Sequence, residues 1–377
     1  LQAVSFQPLL SKSNQDRVAT LRWTLAGRPW LFLAVCDGHA GTATSDYTAR
    51  KLPGRIHAAL SALPPAALTD PVRVAKLLQS EVEAFDRHIG KVLRRLCPRP
   101  ASLSRADADA LIRGHEEVLQ RANHGTTLAA ALVNLDAKLM WAVGVGDSTV
   151  GALLSVTTAS GKWERLNELH RPTNPKEYFR VAMEHPGEQE RAILRDSDRV
   201  LGAISLTRAI GDFSMKLPRA YLENLLQYLP TTAHPEHIAN ILEHSRTPPY
   251  LSATPSVRTY DLAPLWADDP MLLVFSDGVD ALVEGAFVFR PDDPSTADPC
   301  AVLAQLLQDA PQAHAAAAAT LGHAVQAHWH ANRAVELLGS LVGGTDVRRL
   351  ARVLDQRLLA DRDALPQFRV DDTSIIV

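Results

Sequence analysis

Residues 29–36 read PWLFLAVC, an almost unbroken apolar run that stops on Asp37, Gly38 and His39. A short continuous apolar run bounded by turn residues predicts a strand buried on both faces. The pattern recurs in LAAALVNL at 128–135, LMWAVGV at 139–145, TVGALLS at 149–155, MLLVF at 271–275 and TSIIV at 373–377. VATLRWT at 18–24 precedes the first run, with Ala26-Gly27-Arg28 as a hairpin turn. Asp136-Ala137-Lys138 and Gly146-Asp147-Ser148 join the next three runs into an antiparallel meander. Helical spacing is equally clear elsewhere. Thr69 and Asp70 offer a cap for a start at Pro71, after which Val74, Leu77, Leu78, Val82, Phe85, Ile89, Val92, Leu93 and Leu96 recur at three- and four-residue steps. Further helices are predicted over 106–121, 221–229, 234–244, 298–308, 311–339 and 345–359. Hairpin-paired strands interleaved with distant helices predict an α+β fold, a sandwich of antiparallel sheets covered by helices.

Composition narrows the function. The 377 residues are 46% hydrophobic and 21% charged, and no Pro/Gly/Ser linker divides them, so 1–377 reads as one domain with helical insertions. Net charge is −3 with scattered Lys and Arg, which excludes the basic stripe of a nucleic-acid binder. Apolar runs near eight residues are too short for a membrane span. The chain begins at Leu1 with no signal-peptide layout, so a targeting segment is not visible in it. Cys36, Cys97 and Cys300 are odd in number with no C-x-x-C, which argues for a reducing, intracellular compartment and against a disulfide framework. No phosphate-binding loop or nucleophile elbow is present, and VGVGDS lacks the third glycine of a dinucleotide fingerprint. His323, His328 and His330 share no clean helical face with an acid and read as non-ligands.

Acids at strand ends carry the chemistry. Asp37, Asp147 and Asp277 each follow an apolar strand, and Asp371-Asp372 directly precedes the last one. If those ends converge, the carboxylates repel one another unless a cation holds them. Oxygen-only ligands suit magnesium, manganese or calcium better than zinc.

SNQDR at 13–17, VCDGHAG at 35–41, HGTTLAAALV at 124–133 and VGVGDSTVGAL at 143–153 stand in an order that goes on through four more segments. These are RVLGAISLTRAIGDFSMK at 199–216, TPPYLSATPSV at 247–257, LLVFSDGVDALV at 272–283 and VDDTSIIV at 370–377. Together they resemble the metal-dependent type 2C protein serine/threonine phosphatases, and within them most the pyruvate dehydrogenase phosphatase branch. The resemblance implies a four-layer α/β/β/α sandwich with a cleft for two Mg2+ or Mn2+ ions. It makes Asp37 the bridge between the ions, lets the Gly38 carbonyl contact the second, and gives Asp277 and Asp371 to the first. Gln15-Asp16 stands where the family has Glu-Asp at the second ion, and Asp147 with neighbouring acids is the place for a third, weaker ion. Asp280 lies one place before Ala281, where many members carry another metal-shell acid.

The implied reaction is attack of a metal-bridging hydroxide on a phosphoserine or phosphothreonine of a phosphoprotein, with His39 protonating the leaving oxygen. Thr126 and Arg208 are implied to be structural. Lys12 is the nearest basic residue before the acidic motif, where many members carry a phosphate-gripping arginine. Residues 214–250 match the variable flap, and a helical insertion is expected near 285–365. The family departures, Gln15 above all, support one alternative: a catalytically weak pseudophosphatase acting as a binding scaffold. Cytoplasm or mitochondrial matrix follows as the expected location, and oligomeric state is not implied.

Overall fold

Alternate residues of the 29–36 run serve two different cores. The computed structural model describes all residues except 154–161, 190–192, 196–197, 232, 287, 291, 327–328 and 361–367. In chain order its main strands are β1 (Ala3–Phe6), β2 (Arg17–Leu25), β3 (Arg28–Cys36), β4 (Leu128–Asn134), β5 (Leu139–Val145), β6 (Thr149–Leu153), β7 (Trp163–Arg165), β8 (Ser256–Asp261), β9 (Met271–Phe275) and β10 (Thr373–Ile376). One sheet runs β8-β5-β4-β3-β2 and the other β1-β10-β9-β6-β7, with every pairing antiparallel.

Leu33 and Val35 of β3 meet Val274 and Ile376 of the opposite sheet in the space between sheets. Phe32, Ala34 and Cys36 turn outward, into a core shared with α1 (Ala43–Ser61), α2 (Pro71–Leu96) and α3 (Arg105–Asn123). Slipping β3 by one residue would exchange the two faces, and each fully buried Leu, Val or Phe is worth about 1.5–3 kcal/mol, so the register is firmly set.

Further along the chain come α4 (Pro175–Glu184), α5 (Pro235–His244), α6 (Gly278–Glu284), α7 (Pro299–Leu307), α8 (Pro311–Leu321), α9 (Arg333–Val342) and α10 (Val347–Val353). Residues of α6 to α10 pack with Leu273, Phe275 and Ile375 on the outer face of the second sheet. The layers are therefore helix, sheet, sheet, helix, as expected.

Four expectations need correction. The helix over 221–229 is a short helix, Ala220–Asn224, and a single 3-10 turn, Leu226–Tyr228, parted where Leu225 leaves helical angles at φ −140°. The helix over 311–339 is two: α8 stops where Gly322 takes a left-handed φ of +74°, and α9 restarts where the Asn332 side chain accepts from Ala334 N and Val335 N. The helix over 345–359 also breaks, because Asp355 Oδ1 caps a new start by accepting from Arg357 N and Leu358 N. Alanine-rich periodicity ran through both breaks and hid the caps. The helix α1 has no counterpart among the expectations. Its buried face of Thr44, Thr48, Leu52, Ile56 and Leu60 opens on polar residues and is interrupted by Pro53. Of the strand expected at 149–155, residues 154–155 lie outside the described residues, as does His328.

The three cysteines are buried and unpaired. Among the described residues no helix is long and apolar enough to cross a membrane.

Candidate active site

Backbone pairing builds the site. Beyond β3 the chain makes a two-residue strand, Gly38–His39, which pairs with Gly125–Thr126 just before β4. Ile210–Gly211 pairs on the other side of Gly125–Thr126. His39 and Gly211 are thus both partnered to Gly125, and Asp212 follows at once in a left-handed conformation, φ 52°. His39 Nε2 lies 2.8 Å from Asp212 Oδ2 as a result. Only glycine leaves room between them, since a Cβ on Gly125 would run into both groups. Gly38 is similarly confined: a Cβ there would stand 2.5 Å from the Gln15 carbonyl oxygen. Burial pulls the His39 pKa down, but the charge and hydrogen bond of Asp212 outweigh it, and the net shift is upward.

The acids do converge. β3 and β5 run the same way in one sheet, so Asp37 and Asp147 leave at the same end, and β9 delivers Asp277 beside the start of β10 and Asp371. Loss of hydration lifts the Asp37 pKa well above the carboxylate range, and the charges of Asp16, Asp277, Asp147 and Asp371 lift it further. Asp277 is lifted in the same way, by dehydration and then by Asp147 and Asp371, and it shares a side-chain hydrogen bond with Asp37. Behind them Asp16 is pushed up to about 7 by burial; its Oδ2 accepts from Ser276 Oγ at 2.7 Å while Oδ1 has no partner. Among the described residues no three His, Cys, Asp or Glu side chains stand together at metal-ligating spacing. The charges of Asp147 and Asp371 act on both Asp37 and Asp277, the repulsion expected of carboxylates gathered in a dry site.

Cations flank the cluster. Arg171 donates from Nε to Asp147 Oδ2 at 2.8 Å, Lys12 Nζ lies 3.9 Å from Asp371 and from Asp372, and Arg369 pairs with Asp371. Asp280, buried in α6, is pushed up to about 7 by burial despite Arg171 and Arg165 nearby.

A sequence profile of the protein phosphatase 2C family matches residues 10–284. The chain belongs to that family. It is 31% identical over 186 residues to the mitochondrial [pyruvate dehydrogenase [acetyl-transferring]]-phosphatase 2 of Homo sapiens, a match covering 46% of this chain and 31% of that one. A protein phosphatase 2C homolog of Schizosaccharomyces pombe is 26% identical over 71% of this chain and 56% of its own. Among solved structures, a serine-threonine phosphatase 2C from Toxoplasma gondii aligns with a TM-score of 0.49 and 15% identity, over 99% of this chain and 92% of that one. The matched stretch thus spans less than a third of the human relative's length.

In this phosphatase 2C chain, each residue expected at the site has a definite place. Asp37, Asp277, Asp147 and Asp371 are electrostatic neighbours. Thr126 Oγ1 donates to the Asp37 carbonyl at 2.9 Å, which pins the turn. Gln15 is buried, and its Oε1 accepts from Gly41 N at 3.0 Å. Ala40 holds a left-handed φ of 60°, the conformation that a glycine takes without strain. Arg208 sits away from the acids in a forked pair with Glu177, at 3.0 and 2.5 Å. The sequence reading passed over Asp212, Arg171 and Arg369. For Asp212 a signal existed, an acid after an apolar-Gly pair in AIGD, but nothing in spacing links it to His39.

Proposed function

We propose that this chain is a metal-dependent phosphoprotein phosphatase acting on phosphoserine or phosphothreonine. The observation that carries the reading is the ion-paired His39–Asp212 couple set two residues from Asp37 and its acidic neighbours. The donor set suits a hard dication: oxygen atoms only, with mutual repulsion that a cation would relieve. Asp37, the Gly38 carbonyl, Asp277 and Asp371 would hold two Mg2+ or Mn2+ ions, with Gln15-Asp16 beside the second and Asp147 near a third. When bound, such ions supply a hydroxide nucleophile near neutral pH and neutralise phosphate charge.

The chain's own residues do the remainder. Asp212 fixes the Nε2 proton of His39 and favours the doubly protonated ring, which leaves the Nδ1 proton for the departing serine or threonine oxygen. Arg171 balances Asp147, so the cluster as a whole stays open to dications. A cavity of about 260 Å3 starts at His39 and is lined by Leu222, Leu226, Ile238 and Ile241, which supports residues 214–250 as the substrate-selecting flap. The mitochondrial relatives favour the matrix as location.

A second reading, a weakly catalytic scaffold, draws on Gln15, whose amide brings no charge and whose oxygen is held by Gly41. Titration of Mg2+ and Mn2+ against hydrolysis of p-nitrophenyl phosphate and a phosphothreonine peptide separates them. Turnover that saturates with metal is expected; none at any metal concentration selects the scaffold, and full turnover in chelator rejects the metal mechanism.

A further inference from the structure

The cavity that starts at His39 is unevenly charged. Leu222, Leu226, Ile238 and Ile241 make its apolar wall, and Asp212 is the only carboxylate among the described residues lining it. Asp212 is engaged by His39, 2.8 Å away. Arg199 also lines the cavity and is half-buried. Among the described residues its guanidinium meets one acceptor, the Ala203 carbonyl at 3.1 Å from Nη1, and no carboxylate.

Local structure holds that guanidinium in place. Arg199–Val200 pairs with Leu194–Arg195 as a short antiparallel ladder, and the chain then turns through Leu201 and Gly202 at left-handed φ of 52° and 67°. Nη1 of Arg199 closes the turn, while Asn240 Nδ2 donates to the Gly202 carbonyl at 3.0 Å and ties the turn to α5. His237, on the same helix, also lines the cavity. Burial, the charge of Arg199 and that of His234 lower the His237 pKa, with Glu236 opposing them. Its ring is therefore neutral near pH 7, and the positive charge here comes from Arg199.

A guanidinium carries five N–H donors in a planar fork, so the bond to Ala203 leaves donors for an anion. The phosphate under attack belongs at His39 and the acids, which makes the anion at Arg199 a second one on the same substrate. A cavity of about 260 Å3 is crossed by about three extended residues at about 3.4 Å each. The apolar wall between takes an uncharged side chain.

We propose that Arg199 selects phosphopeptides that carry an aspartate or glutamate within about three positions of the phosphorylated residue. The proposal deepens the phosphatase reading above and rests on it.

The test uses the Mn2+-loaded full chain and its R199Q and R199E variants, with folding checked by thermal melting. The substrates are phosphothreonine peptides of otherwise neutral sequence. Glutamate, glutamine or lysine is placed in turn at each of the three positions before and after the phosphothreonine. p-Nitrophenyl phosphate, which has no flanking residues, is the control. At the best position the wild type should favour glutamate over glutamine about 5- to 30-fold in kcat/KM, chiefly through KM, as a charge-assisted hydrogen bond at a half-buried site does. R199Q keeps an N–H for Ala203 and should erase the preference. R199E should favour lysine at the same position, a reversal that a role confined to the turn does not produce. Both variants should hydrolyse p-nitrophenyl phosphate within about twofold of wild type, since the charge they lose is not one this substrate meets. A wild type that does not discriminate glutamate from glutamine at any position overturns the proposal, and so does an acid preference that survives in R199E. In both cases metal-saturable turnover of p-nitrophenyl phosphate leaves the phosphatase reading intact, whereas a wild type inactive on every substrate overturns both.

Discussion

Nε2 of His39 and Oδ2 of Asp212 lie 2.8 Å apart across 173 positions of sequence. The contact exists because Gly125 is partnered on one side by His39 and on the other by Gly211, and has no side chain to fill the gap. Burial alone would lower the His39 pKa; Asp212 reverses the sign and keeps the ring protonated to higher pH.

Asp212→Asn should therefore move the alkaline limb of the pH–rate profile for a phosphoserine peptide to lower pH. His39→Gln should cost that substrate about 10²–10⁴-fold, because an alkoxide leaving group gains from protonation. p-Nitrophenyl phosphate, whose leaving group departs unaided, should lose far less in either variant. Equal losses on both substrates would make His39 a structural residue.

Asp277→Asn should abolish most turnover, by at least about 100-fold, since even partners of metal ligands cost 10–100-fold when removed. The same change should raise the melting temperature of the metal-free protein by several degrees. Asp277 is held well above its ordinary pKa by dehydration and by Asp147 and Asp371, so its charge opposes folding until a dication arrives. Melting curves with and without Mn2+ check both halves: a metal-free melting temperature that does not rise contradicts the repulsion argument.

Gln15→Glu adds a charge where the family has one. One carboxylate oxygen can still accept from Gly41 N, and the added charge acts on the neighbouring acid site. After desolvation a net gain of about 1–3 kcal/mol in dication binding is expected. That is about a five- to hundredfold drop in half-saturating Mg2+ or Mn2+. Superimposable metal titrations of the two proteins would remove Gln15 from the site.

Asp280 sets an unusual pH dependence. Its pKa is about 7 when folded against an ordinary 3.8, so the folded state binds the extra proton between those values. Stability is full below about pH 4 on this account and falls as pH rises through 7, by a total on the order of 2–4 kcal/mol. Asp280→Asn should flatten that decline in chelator, with the largest stabilisation above pH 7. Urea unfolding at pH 5 and pH 8 measures it, and a decline as steep as in wild type would assign the effect to other acids.

The sequence by itself determined the strands and their layer. Runs such as PWLFLAVC are apolar at every position because one face meets helices and the other meets the second sheet, and nothing except burial on both sides accounts for that pattern. It also placed Asp37, Asp147, Asp277 and Asp371 at strand boundaries, where polar groups reach the edge of a dry sandwich. Tertiary structure decided what periodicity does not encode. The helix α1 buries Thr44 and Ser45 because their hydroxyls reach the His124 and Gln15 carbonyls, contacts that only the fold supplies. Asp212 reaches His39 across a long sequence separation, and side-chain spacing carries information only between residues on one element. Long-range pairing, not local pattern, chose the partner of His39.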